Sequence, residues 1–121
     1  MEELRSVAPC FAVEDVAATV AWYETNLGFR SDTFPERPPF TFAILYRDDI
    51  RIMLQGAKKP RAPAGWAAYI GVRGINAFYE SVCGRVPVTS PLVRRAYGDW
   101  EFEVTDPNGY VLVFSELIEA A

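Results

Sequence analysis

The stretch YGDWEFEVTDPNGYVLVFSE, residues 97–116, predicts two successive strands joined by a tight turn. Polar and apolar residues alternate before the turn, which is typical of a strand with one face toward a core. The tetrapeptide DPNG at 106–109 favours a turn because Asn and Gly both tolerate a positive φ. We therefore predict strands over 97–104 and 110–117.

The first half of the chain predicts a strand, a helix and further strands. Residues 7–13 form a short apolar run, and Asp15 follows where a helix N-cap is expected. Gly28 stands where a helix ends in the left-handed conformation. Two strands joined by a tight hairpin turn are predicted over 40–46 and 50–55, so that two or three strands follow the helix. Apolar residues recur at helical spacing between these signals, at Val16, Val20, Tyr23 and Leu27.

A linker separates two halves of similar pattern. The segment GAKKPRAPAG at 56–65 is rich in proline and glycine, and a strand over 66–72 and a short helix over 74–82 are predicted after it. VEDV at 13–16 matches VRGI at 72–75. The Tyr-Glu pair recurs in both helices, which supports an internal repeat of two βαβββ units.

The composition is that of one globular domain. Half of the 121 residues are hydrophobic and 23% are charged, and half a chain could hardly hold a separate core. We therefore predict an α+β fold and a single domain over 1–121, with modules of about 5–57 and 64–118 joined by the linker. No apolar run is long enough to span a bilayer.

Charge, histidine and cysteine content exclude several functions. The net charge is −4 with no basic patch, which argues against nucleic-acid binding. The chain has no histidine, which excludes Ser-His-Asp and Cys-His nucleophiles and the commonest metal ligand. Cys10 and Cys83 match no metal or redox spacing, so we expect free, buried thiols. Because the N-terminus also lacks a signal-peptide pattern, we expect a cytoplasmic protein.

Three segments resemble one known superfamily. They are FAVEDVAATVAWYETNLGF at 11–29, YIGVRGINAFYE at 69–80, and the stretch at 97–116, in which GDWEF is followed by DPNG. The pattern resembles the glyoxalase, bleomycin-resistance and extradiol-dioxygenase proteins, or vicinal-oxygen-chelate superfamily, and is most similar to members of the bleomycin-resistance type. The resemblance implies two paired βαβββ modules that form a curled mixed sheet around a cavity, with the helices on the outer side.

The resemblance also indicates where metal-dependent members hold their metal. Three of the corresponding positions are Ala8, Ala67 and Val113, and the fourth lies at or near Met53. Alanine and valine side chains cannot coordinate a divalent cation, and a methionine sulfur suits a different class of metal. We therefore predict no metal, no cofactor and none of the metal-dependent reactions of the family.

Strand alternation predicts which side chains line the cavity. If Ala8 and Ala67 face inward, Tyr69 does too, whereas Phe102 would face a helix. Glu101 and Glu103 would then point toward the cavity or its rim, although a solvated face is the ordinary alternative for two such glutamates. For Trp66 and Trp100, ligand stacking and core or interface packing are both open. The predicted ligand-binding residues are Arg51, Met53, Gln55, Tyr69, Trp100, Glu101, Glu103 and Val113.

Three functions follow as hypotheses. The first is a homodimeric protein that binds a small cationic aromatic drug or metabolite through charge pairing and stacking, as in antibiotic resistance by sequestration. The second is a metal-independent enzyme, lyase-like or isomerase-like, that uses the same cavity. The third is a ligand-sensing module. We predict no catalytic residue, no nucleic-acid partner and no membrane partner.

Overall fold

The computed structural model describes residues 1–117 and divides into two compact units, Met1–Pro60 and the chain from Arg61 onward. Each unit has one helix and four strands in βαβββ order, as the repeat predicted. The predicted end of the second module, residue 118, lies outside the described residues. The first unit contains β1 (Cys10–Val13), α1 (Val16–Leu27), β2 (Arg30–Phe34), β3 (Phe42–Arg47) and β4 (Ile50–Gly56). The second contains β5 (Trp66–Gly71), α2 (Ile75–Val82), β6 (Val88–Arg94), β7 (Asp99–Thr105) and β8 (Val111–Leu117).

Both units have the same mixed sheet. The strand order is β1-β4-β3-β2 in the first unit and β5-β8-β7-β6 in the second. In each sheet the first strand pairs in parallel with the last strand of the unit, and the remaining pairs are antiparallel. The α+β class and the two βαβββ modules are therefore confirmed.

Local signals set the bounds of α1. The Asp15 carboxylate accepts a hydrogen bond from the Ala18 amide at 2.9 Å, as an N-cap does. Gly28 ends the helix with φ 69°, in the left-handed conformation where a Cβ would be strained. The predicted apolar stripe is buried: Val16, Val20, Tyr23 and Leu27.

The N-terminus of α2 is capped by a distant residue. Gly74 precedes the helix and has no side chain to accept a hydrogen bond. The Glu116 carboxylate from β8 accepts hydrogen bonds from the amides of Gly74 and Ile75, the latter at 2.9 Å. A carboxylate here also interacts favourably with the positive end of the helix dipole. The cap therefore joins the helix to the sheet that it covers.

Each helix covers one face of its own sheet. In the second unit, Phe102 and Phe114 pack at 5.3 Å between ring centroids, and Phe78 of α2 lies against both. The large apolar side chains of β1 and β8 that alternate away from the open face are buried, at Phe11, Val13, Leu112 and Phe114. We call the side of each sheet that faces away from its own helix the open face.

Several strand boundaries and the exposure of the two cysteines differ from the predictions. β1 begins at Cys10 rather than at residue 7. The strand β6 was not predicted, and β2 was not placed. Cys10 and Cys83 are free as expected, but both are exposed, so the prediction of buried thiols was wrong. Within residues 1–117, no helix is long and apolar enough to cross a membrane.

Candidate functional site

The predicted glutamates lie on the open face of the second sheet. Glu101 pairs with Ser115 and Glu103 pairs with Val113, and directly paired residues point to the same side of a sheet. Tyr69 pairs with Val113 from the other side and joins them there. The fold thus brings together four of the predicted ligand-binding residues: Tyr69, Glu101, Glu103 and Val113.

Glu101 is fully buried and completely hydrogen-bonded within the chain. Its carboxylate accepts a hydrogen bond from the Tyr69 hydroxyl at 2.5 Å and another from the Tyr97 hydroxyl. The Arg95 Nε donates to the other carboxylate oxygen at 3.3 Å. The solvated-face alternative is therefore wrong for Glu101. Glu101 is buried because the unpredicted strand β6 makes β7 an inner strand. The turn after β6 then brings Arg95 and Tyr97 to the Glu101 carboxylate.

Further hydrogen bonds extend the group around Glu101. The Trp66 Nε1 donates to Glu103 at 3.1 Å, and the Arg95 guanidinium approaches the same carboxylate at 3.9 Å. The Tyr69 hydroxyl also lies 2.7 Å from Asp99. The Trp66 and Tyr69 rings lie 5.6 Å apart at their centroids and form one wall. We call these seven residues the carboxylate cluster: Trp66, Tyr69, Arg95, Tyr97, Asp99, Glu101 and Glu103.

The electrostatics of the carboxylate cluster favour a cation. Three carboxylates face one guanidinium, so with all four groups ionised the formal charge is −2. Desolvation, followed by hydrogen bonds to Asp99 and Glu101, raises the pKa of Tyr69 well above its usual value. The hydrogen bond to Glu101 likewise raises the pKa of Tyr97. Both phenols therefore stay protonated at neutral pH and act as donors to the carboxylates.

The cluster also has an exposed aromatic side. Trp66 is 50% exposed, Tyr69 47% and Tyr97 60%, which are high values for such large side chains. An exposed aromatic wall next to carboxylates suits a ligand that is both flat and positively charged. Arg95, with its side chain 32% exposed, contacts the buried Glu101 beside that wall.

The other predicted site residues lie elsewhere. Arg51, Met53 and Gln55 are on the open face of the first sheet, where Met53 pairs with Cys10 and Gln55 with Ala12. Arg51 lines a groove together with Asp32, Ile44, Tyr46, Asp48, Asp49 and Ile50. Trp100 alternates with Glu101 along β7 and pairs with Glu116, so it lies on the α2 side of the second sheet.

Arg95, Tyr97 and Asp99 are the site residues that sequence analysis missed. Tyr97 was placed in a strand, whereas β7 begins at Asp99 and a turn precedes it. Gly98 has φ 104° in that turn, and its amide donates to the Arg95 carbonyl at 2.9 Å. The Tyr-Gly pair at 97–98 was the available signal for a turn.

The four positions that correspond to metal ligands do not fit a divalent cation. Val113 is buried and Ala67 lies at an irregularity between the paired residues Trp66 and Ala68. Ala8 precedes β1, and Met53 supplies only a thioether. Across residues 1–117, no group of three or more Cys, Asp or Glu side chains is arranged to hold a metal ion. The side chains at these four positions offer no oxygen or nitrogen donor, so they do not form a site for a divalent metal ion.

Comparison with known proteins identifies the family. Residues 5–114 match the model of the glyoxalase/bleomycin resistance protein/dioxygenase superfamily. The chain belongs to this superfamily. The resemblance found in the three sequence segments is thereby confirmed. No curated protein matches the chain in sequence.

Several solved structures share the fold over nearly the whole chain. A glyoxalase-related enzyme from Clostridium phytofermentans has a TM-score of 0.81 at 22% identity, covering 97% of this chain and 98% of its own. TioX from Micromonospora sp. ML1 has a TM-score of 0.77 at 18% identity, covering 94% of this chain and 99% of its own. A bleomycin-binding protein from Streptomyces verticillus, solved with copper(II)-bleomycin, has a TM-score of 0.73 at 24% identity, covering 94% and 97%. At these identities the likeness establishes the fold alone.

Proposed function

We propose that this protein binds a small, flat, cationic molecule at the carboxylate cluster and that it does so without a metal ion. The observation that supports this most directly is the arrangement of three carboxylates beside the exposed Trp66 and Tyr69 rings. Charge pairing would supply selectivity for a cation, and stacking would supply contact area. A relative of the same fold was solved with copper(II)-bleomycin, and bleomycin-type compounds are therefore among the ligands to test.

Binding without catalysis fits the state of Glu101. A general base must reach the proton that it removes. Glu101 is instead fully covered, and its carboxylate is held by Tyr69, Tyr97 and Arg95. An approaching ligand first meets the aromatic rings and the partly exposed side chains of Arg95 and Glu103, which suit recognition. We therefore favour stoichiometric capture over the metal-independent enzyme and the sensing module.

The proposed function is tested by titration. Bleomycin and a cationic acridine dye are compared with the neutral acridone, and binding is followed by fluorescence. We expect the two cationic compounds to bind with dissociation constants well below about 1 mM, and acridone to bind at least about tenfold more weakly. No binding of either cation below about 1 mM would overturn the proposal.

A matched pair of variants locates the binding site. Glu103→Gln removes a charge from the carboxylate cluster with little change in shape. It should lower the affinity for the cationic ligand by about tenfold. Glu80→Gln removes the same charge from the exposed surface of α2 and should leave affinity unchanged. Equal affinities for the two variants would place the ligand elsewhere.

The proposal extends to assembly and location. We propose a homodimer in the cytoplasm, as the superfamily resemblance and the two free cysteines suggest. Sedimentation velocity would give the mass of the particle, and a monomer at all concentrations tested would contradict the homodimer.

A further inference from the structure

Arg95 fills the space between the two glutamates of the carboxylate cluster. Its Nε lies 3.3 Å from Glu101, and its Nη2 lies 3.9 Å from Glu103 and 3.3 Å from the Ser90 hydroxyl. One planar guanidinium thus spans two carboxylates that project from the same face of β7. This contact shows which kind of group the two carboxylates accept: a planar cation with several N–H donors.

The Arg95 side chain can leave without a change in the backbone. The turn is held by main-chain hydrogen bonds, from the Arg95 amide to the Asp99 carbonyl at 2.8 Å and from the Gly98 amide to the Arg95 carbonyl at 2.9 Å. The guanidinium contacts are long for charge-assisted hydrogen bonds, which are strongest near 2.7–2.9 Å. Its side chain is also about one-third exposed, so part of it already contacts solvent.

We propose that Arg95 occupies a subsite for a delocalised planar cation, an amidinium or a guanidinium, and that the ligand binds by displacing it. The inference rests on the proposed function and names the class of cation that the site selects. Displacement uncovers Glu101, whose buried charge then needs another cation. An amidinium replaces both N–H donors of the arginine, whereas a neutral amide offers no charge and a quaternary ammonium offers no donor.

The experiment uses benzamidine as the probe, with benzamide and benzyltrimethylammonium as its neutral and donor-free counterparts. Binding is followed by NMR through the Trp66 indole N–H, which donates to Glu103 and is assigned with a Trp66→Phe variant. Arg95→Gln removes the competing cation and should bind benzamidine about five- to tenfold more tightly than the natural protein, because no resident group has to be displaced. Arg94→Gln, on the neighbouring exposed residue paired with Trp100, should leave the affinity unchanged.

A second NMR signal reports displacement in the natural protein, so this test does not depend on the stability of a variant. In the natural protein, the Arg95 Nε–H resonance should move toward that of a free arginine as benzamidine saturates the Trp66 signal. Displacement is contradicted if the resonance stays in place at saturation, or if Arg95→Gln binds benzamidine no more tightly than the natural protein. The subsite itself is contradicted if benzamidine binds no better than benzamide up to about 10 mM. None of these results contradicts the proposed function as long as the acridine dye still binds in preference to acridone.

Discussion

At the scale of single residues, the hydroxyl of Tyr69 connects two carboxylates. It contacts both Asp99 and Glu101, and a phenolate there would face two negative charges. The sequence placed Tyr69 beside the two glutamates through strand alternation. It did not predict the burial of Glu101, because burial depends on Arg95 and Tyr97, which fold back from a turn that alternation does not describe.

The raised pKa of Tyr69 predicts a loss of stability at alkaline pH. In the unfolded chain this phenol ionises near pH 10, whereas in the folded protein its pKa is higher. The contribution is therefore fully present below pH 10 and is lost as the pH rises above that value. Urea unfolding between pH 8 and 11 should show a steeper fall in the free energy of unfolding for the natural protein than for Tyr69→Phe. Equal falls would contradict the prediction.

At the scale of elements, the helices were predicted more accurately than the edge strands β2 and β6. Asp15 and Gly28 give strong local signals for both ends of α1. The strand β6 gives almost none, because it lies at a sheet edge, contains Pro91 and has two register shifts against β7. Proline removes a ladder hydrogen bond and is tolerated mainly at such edges, so it argues against a strand when only the sequence is considered.

The long-range cap of α2 predicts a measurable cost when it is removed. Glu116→Ala takes away the acceptor for the Gly74 and Ile75 amides and should lower the free energy of unfolding by about 1 kcal/mol. Asp15→Ala should cost a similar amount at α1, since it removes a local cap. Glu80→Ala on the exposed side of α2 is the control and should change stability by less than about 0.5 kcal/mol. A Glu116→Ala protein as stable as this control would show that the cap contributes nothing.

At the scale of the whole molecule, the two units share topology but differ in chemistry. The strands β3 and β7 occupy equivalent positions in their sheets. By alternation, β3 presents Phe42, Ile44 and Tyr46 on its open face, where β7 presents three carboxylates. The internal repeat therefore predicted the framework of the second unit, whereas its polar face could not be inferred from the first unit.

The size of each unit predicts that the chain unfolds in a single transition. A unit of about 60 residues buries only about 60% of the surface that its unfolded chain exposes, which leaves it marginal alone. Trp22 reports on the first unit, and Trp66 and Trp100 report on the second. Urea unfolding is followed by tryptophan fluorescence for Trp22→Phe and for the double variant Trp66→Phe, Trp100→Phe. Circular dichroism gives the change in stability that each substitution causes. After correction for that change, the two fluorescence curves should have the same midpoint. Two separate transitions in the natural protein would contradict the single-domain prediction.

We propose that a cation binds at the carboxylate cluster without the help of a metal ion, and calorimetric titration of the acridine dye before and after exhaustive dialysis against EDTA tests this. We expect the same dissociation constant before and after the dialysis, and a dissociation constant about tenfold higher for Glu103→Gln. The proposal would be contradicted by binding that disappears on chelation and returns with added Zn²⁺ or Mn²⁺, or by binding that Glu103→Gln leaves unchanged.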